Sequence, residues 1–181
     1  MTSYESTGHL LLTPMDREAP ARAVRLRELG LGERTDAELD AFARRVAEVL
    51  DVPYAGVNFV GEERQFFAGL HHAPDAPQSG YPARVLARDR GYCPHVVVRR
   101  RALVLEDVRD FARFAGNAVV DGSGVRTYLG APLTDRRGIV LGTVCAVDAV
   151  PRRWGTQGLA AVKELAAELV ALVHEREDRR A

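Results

Sequence analysis

The run IVLGTVCAVDAV, Ile139 to Val150, constrains the fold more than any other stretch of the chain. Through Val147 it is apolar at odd and even positions alike. A strand of that kind is covered on both faces, so it belongs in the middle of a sheet between two layers. A second β-type run, VRTYLGAPL (Val125 to Leu133), precedes it. The short charged turn Thr134 to Gly138 lies between them, and the two runs form a hairpin. Gly130, Ala131, Gly142 and Ala146 sit inside these runs. Glycine weakens a strand interior and marks the close approach of another body. That body is either a packed helix or a bound small molecule, and function turns on which.

The rest of the chain reads outward from this hairpin. Residues 1–19 read as irregular. Pro20 opens a short helix that Gly30 stops. Thr35 and Glu38 make a capping box ahead of a helix with Leu39, Phe42, Val46 and Val49 or Leu50 on one face. Tyr54 to Val60 and Arg64 to Leu70 read as a hairpin around Gly61-Glu62-Glu63. The proline-rich stretch 71–82, which carries His71 and His72, reads as a loop. Short helices are expected at 82–89 and 91–99, and a strand at Ala102 to Val108. The polar stretch 109–124 carries at most one helical turn. Thr156 is placed to cap a final helix, on which Leu159, Val162, Ala166, Leu169 and Val173 form an a/d seam. The charged tail, 177–181, is expected to fray. Hairpin-linked strands make the sheet largely antiparallel. The terminal helices can cover one face, which leaves 71–124 to cover the other. A face covered by loops and short helices is a usual place for a pocket.

Composition excludes several classes. Basic and acidic residues balance at 25 each, which argues against a nucleic-acid binder held by phosphate contacts. Only Lys163 among the basic residues is lysine, and the arginine run Arg99 to Arg101 reads as a solvated helix end. No apolar stretch reaches the length of a membrane span, and no secretion signal is visible. Two cysteines, Cys93 and Cys145, are too few for a disulfide framework and suit a reducing cytoplasm. Nucleophile-elbow, Walker A, zinc-protease and Cys-x-x-Cys motifs are missing.

The motifs resemble those of a GAF domain, the small-molecule-sensing module of many bacterial signalling proteins. RLRELG and AFARRVAEVLDVPYAGVNFVGEERQFF look like its entry helices and first hairpin. YCPHVV resembles the F-C-x-x-x-I helix of one subgroup. LVLEDVRDFARFAGNAVV and VRTYLGAPLTDRRGIVLGTVCAVDAVPR resemble that subgroup's two longer signatures. The likeness runs over about 22–176, with the domain placed at 20–176. It implies an α+β fold, with a six-stranded antiparallel sheet between a terminal-helix bundle and a ligand-facing layer of loops and short helices. It also implies pairing through the terminal helices and a separate signalling output protein. This chain is expected to act as a stand-alone sensor or adaptor.

The ligand-facing candidates are Phe67, Cys93, His95, Asp107, Arg113, Asn117, Arg126 and Tyr128. Asp107, Asp110, Arg113 and Asn117 either orient a polar ligand or satisfy their own loop. Arg126 and Tyr128 alternate with Val125, Thr127 and Leu129 and can frame the pocket. Phe59 reads as core, and Phe67 as core or an apolar wall. Cys93 is either a buried pocket-lining residue or, near a helix N-terminus, a thiol of lowered pKa. Cys145 reads as inert core on the face of Ile139, Leu141 and Val147. A Cys93–Cys145 redox pair requires Cα atoms within about 7 Å. Asp148 reads as a turn or cap residue. His71, His72 and His95 make a weak zinc set. His95 is the position a haem-binding relative would use, and Pro94 separates Cys93 from His95 where bilin-binding relatives have an adjacent pair. The cofactor stays open. Three readings follow: a non-catalytic sensor of an unidentified small molecule; a thiol sensor or methionine-sulfoxide-reductase-like enzyme using Cys93; and an adaptor with no ligand.

Overall fold

A computed structural model describes residues 4–6, 12–77, 83–111, 114 and 124–181. Two short strands, β1 (Tyr4–Ser6) and β2 (Leu12–Pro14), pair antiparallel, where an irregular segment was expected. The helix α1 (Ala19–Leu29) has Pro20 in its first turn, where no intrahelical donor is needed. It ends on Gly30 at φ 67°, a left-handed position that glycine takes without strain. In α2 (Ala37–Leu50) the N-cap is Asp36 and not Thr35: its carboxylate accepts from the backbone N–H of Glu38 and Leu39. The remaining α-helices among the described residues are α3 (Cys93–Arg99) and α4 (Gly155–Arg180). No helix among the described residues is long and apolar enough to cross a membrane.

The main sheet has six strands: β3 (Tyr54–Val60), β4 (Arg64–His72), β5 (Val85–Ala87), β6 (Leu103–Leu105), β7 (Thr127–Thr134) and β8 (Val140–Asp148). Their order is β5-β4-β3-β8-β7-β6, and every neighbouring pair is antiparallel. The doubly apolar strand β8 lies in the middle, as its sequence requires. Two local expectations change. Val85–Ala87 is an edge strand and not a helix, and His71 and His72 end β4 and do not lie in a loop.

One face of the sheet packs on α1, α2 and α4 through the larger core, which takes in Leu39, Val57, Phe59, Val144, Leu169 and Val173. The a/d seam of α4 is therefore used inside the chain. The other face carries a second cluster built with α3. The parity of β8 shifts at Gly142. Leu141, Val144 and Ala146 belong to the helix-side core, whereas Cys145 belongs to the second cluster. Cys145 thus faces away from Leu141, contrary to simple alternation.

The termini are better held than expected. Arg25 donates to Asp135 at 2.6 Å and to Glu177 at 2.8 and 2.9 Å. Arg136 pairs with Asp178, and Arg180 donates to the Leu29 carbonyl at 2.7 Å. The tail is helical to Arg180 because these contacts tie it to α1 and the β7–β8 turn. Glu106, and not Thr156, caps α4: its carboxylate accepts from the N–H of Trp154 and Gly155. On β4, Gly69 lies under the α2 backbone, and a Cβ there overlaps the Leu39 carbonyl. Gly69→Ala is expected to push α2 off the sheet and lower the unfolding free energy by about 1–3 kcal/mol. Chemical denaturation checks this.

Candidate functional site

The strand glycines have a specific use. Cys145 on β8 pairs with Gly56 on β3 and Gly130 on β7, so it sits between two positions without side chains. The chain itself fills that room. The Phe67 ring lies over Gly56, and the Tyr128 hydroxyl lies over Gly130. At Gly142 the approaching group is the Asn58 backbone. Neither a helix nor a ligand is what these three glycines accommodate. Above this floor, α3 starts at Cys93, whose Sγ lies 3.3 Å from the Tyr128 Oη. Tyr92 packs on Tyr128 and Phe114, with ring centroids 5.1 and 5.6 Å away.

A void of about 40 Å³ remains between floor and roof. Its walls include Gln65, Phe67, Tyr92, Cys93, Tyr128 and Cys145. Its polar edge is Gln65, which accepts from Asn58 Nδ2 at 2.8 Å and donates to the Ala87 and Arg90 carbonyls. The two thiols are buried and free; Cys145 Sγ donates to the Gly56 carbonyl at 3.7 Å. Interaction with Cys145, helped by Thr143, Tyr128 and Asn58, outweighs burial and brings the Cys93 pKa down to about 6. The same interaction, burial and the charge of Cys93 push Cys145 well above its usual value. Burial, reinforced by both cysteines, also raises Tyr128. Tyr128 therefore keeps its proton and is available as a donor to a Cys93 thiolate.

A GAF domain model matches residues 34–173. The chain belongs to the GAF domain family. It is 24% identical over 164 residues to the cyclic di-GMP phosphodiesterase PA2567 of Pseudomonas aeruginosa, a match that covers 89% of this chain and 27% of that protein. The chain thus spans about a quarter of that relative. The fold is similar to that of free methionine-R-sulfoxide reductase from Neisseria meningitidis (TM-score 0.63, 16% identity, all of both chains). It is also similar to the GAF domain of the Acinetobacter phosphoenolpyruvate-protein phosphotransferase (TM-score 0.61, 18% identity, 89% of this chain and 96% of that one).

Within this GAF domain the eight candidate residues do not form one site. Phe67, Cys93 and Tyr128 line the void. His95 lies nearby on α3 and is buried against Phe114, with ring centroids 5.0 Å apart, but it does not line the void. Its Nδ1 has no partner among the described residues. Burial first, and then the charge of Arg99, lower its pKa to about 4. Asp107 and Arg126 pair with each other at 2.5 Å, away from the void. Asp107 also accepts from the Arg109 N–H and caps the 3-10 turn Val108–Asp110. That is the self-capping role. Arg113 and Asn117 fall outside the described residues. Asp148 accepts from the Ala149 N–H, as a turn residue does.

The sequence reading missed Gln65, Tyr92, Val125, Cys145 and Val147 as wall residues. Alternation along β4 and β8 could have found two of them, since Gln65 shares a face with Phe67, and Val147 with Cys145. Val125 lies on the Tyr128 side because β7 begins only at Thr127, so alternation does not reach back to it. Among the described residues, no group of three or more His, Cys, Asp or Glu is placed to hold a metal ion.

Proposed function

We propose that this GAF domain is a non-catalytic sensor of a small molecule in a signalling route. It passes its state to a separate output protein or to a second copy of itself. The observation that supports this is the second apolar cluster, closed over the small void on the face away from the long helices. Sites for metabolite-sized ligands run to about 300–1,000 Å³, whereas this void suits a water-sized guest. A metabolite enters only when α3 and the Tyr128 ring move off the sheet. Binding and rearrangement are then one event, and the ligand distinguishes two arrangements, as switching requires.

A route outward exists from α3. Its C-cap residue, Arg100, pairs with Glu18 at the start of α1 at 2.8 Å. The same guanidinium donates to the Gly138 carbonyl in the β7–β8 turn at 2.6 Å. That turn carries Asp135, which accepts from Arg25 of α1, and Arg25 in turn donates to Glu177 of α4. Displacement of α3 is thereby felt in the helical layer. The Pseudomonas relative is named for a cyclic di-GMP phosphodiesterase, and the partial match suits a sensory module serving a second-messenger output. The two free thiols suit a cytoplasmic setting.

The test is a thermal-shift panel of nucleotides, cyclic nucleotides and amino acids, paired with native mass spectrometry. One compound class is expected to raise the melting temperature by several degrees and to appear as added mass or a changed subunit count. A panel without any shift, on a chain that flies bare and with one subunit count throughout, overturns the sensing reading in favour of an adaptor.

A further inference from the structure

We infer that Cys93 and Cys145 are a dithiol switch, closed to an intramolecular disulfide by a hydroperoxide small enough to enter the void between them. The two residues come from different elements, the start of α3 and the middle of β8. Their side chains nevertheless line the same 40 Å³ space. The glycines beside Cys145 on both neighbouring strands admit the Phe67 ring and the Tyr128 side chain, which border the same void. Two cysteines serving only as core would need apolar neighbours alone. Here Cys93 has the Tyr128 hydroxyl at 3.3 Å, with Thr143 and Asn58 beside it. These groups can stabilise a sulfur anion and donate to a departing oxygen. Cys93 is also the more acidic thiol of the two, which makes it the attacking sulfur. The size of the void sets the class of oxidant, since hydrogen peroxide is little larger than water and bulky peroxides are excluded.

The Cys93 thiolate attacks one peroxide oxygen, the O–O bond breaks, and an S–O bond forms. The hydroxide released takes a proton and leaves as water, so Cys93 is now a sulfenic acid. The Cys145 sulfur attacks Cys93, the S–O bond breaks and an S–S bond forms. The second hydroxide takes the Cys145 proton and leaves as water. Two thiols and one hydrogen peroxide become one disulfide and two waters, with two electrons passing from sulfur to oxygen. A dithiol reductant reverses it by exchange. The disulfide staples α3 to the central strand and removes the sulfur partner of the Tyr128 hydroxyl. None of this depends on a metabolite ligand.

The experiment uses the wild-type chain, reduced and then exposed without denaturant to about one to ten equivalents of hydrogen peroxide. Thiols are then alkylated under denaturing conditions and the peptides mapped by mass spectrometry. Both thiols are expected to disappear together, with one peptide pair linked through Cys93 and Cys145 and a mass loss of about two hydrogens that dithiothreitol restores. In Cys145→Ser, dimedone is expected to label Cys93. In Cys93→Ser, oxidation of Cys145 is expected to slow at least about tenfold, the direction set by its lower thiolate content. Cumene hydroperoxide at the same concentration should react far more slowly than hydrogen peroxide. Two unmodified thiols, oxidation of one cysteine without the bridge, or bridges only between chains would each overturn the inference. Because the assay contains no metabolite, its outcome is separate from that of the ligand panel.

Discussion

Arg25→Ala is expected to lower the unfolding free energy by about 3–5 kcal/mol, the usual cost of removing one partner from a buried ion pair. Arg25 is 2% exposed, and the Asp135 side chain it contacts is fully buried. Burial alone would push the Asp135 pKa up. Arg25 and the backbone N–H groups of Ile139 and Arg137 reverse that and hold it below the ordinary carboxylate range. Without Arg25, Asp135 keeps two backbone donors and loses its only described cationic partner. Glu177 loses two hydrogen bonds in the same change, so the end of α4 loosens as well. Urea denaturation at pH 7 gives the loss directly. Arg25→Met combined with Asp135→Asn should recover part of it, because no charge is then left buried. A single-variant loss below about 1 kcal/mol would mean that solvent already screens the network, as at an exposed pair.

The second large effect is a pH dependence centred on His95. Its folded pKa is about 4, against an ordinary value of 6.5, because burial first and Arg99 second disfavour the charged ring. Between these values the unfolded chain binds more protons than the folded one, so stability rises with pH. The contribution is complete above pH 6.5 and is lost as the pH falls toward 4. The total loss is on the order of 3 kcal/mol. His71, also lowered by burial first, acts in the same direction. The depressed carboxylates Asp36 and Asp135 have the opposite charge type and lose their contribution only as the pH falls through their own, lower range. Denaturant titrations at half-unit steps from pH 6 to 4.5, below the range in which Cys93 titrates, should show the slope in wild type. His95→Gln, which cannot titrate, should flatten most of it whatever its stability at pH 7. An unchanged slope in that variant would assign the acid sensitivity elsewhere.

Elements carried by a long periodic pattern were legible in the sequence. The doubly apolar β8 had to be central. Leu39 and Val46 named the buried face of α2, which Leu50 and not the alternative Val49 completes, and the GAF likeness supplied the order of the rest. Short elements and contacts between distant residues were not legible. Three residues, Val85–Ala87, are too few to display a period. Thr35 and Asp36 are both good N-caps, and it is Asp36 that has the extended backbone of a cap and an ion pair with distant Arg176. The ion pair and the carbonyl hydrogen bond that keep α4 helical to Arg180 join residues near opposite ends of the chain. The site divides the same way. Phe67, Cys93 and Tyr128 were accessible from pattern and likeness. The meeting of Cys93 with Cys145 was not, because it depends on a parity shift at Gly142 and on glycines across two neighbouring strands.

The outer strands of the six-stranded sheet are each only three residues long, Val85–Ala87 on one side and Leu103–Leu105 on the other. So short a border offers few open main-chain donors and acceptors to a neighbouring molecule. Fibril-like stacking by strand recruitment has little template here while the fold is intact, and a concentrated stock should stay clear until the domain melts.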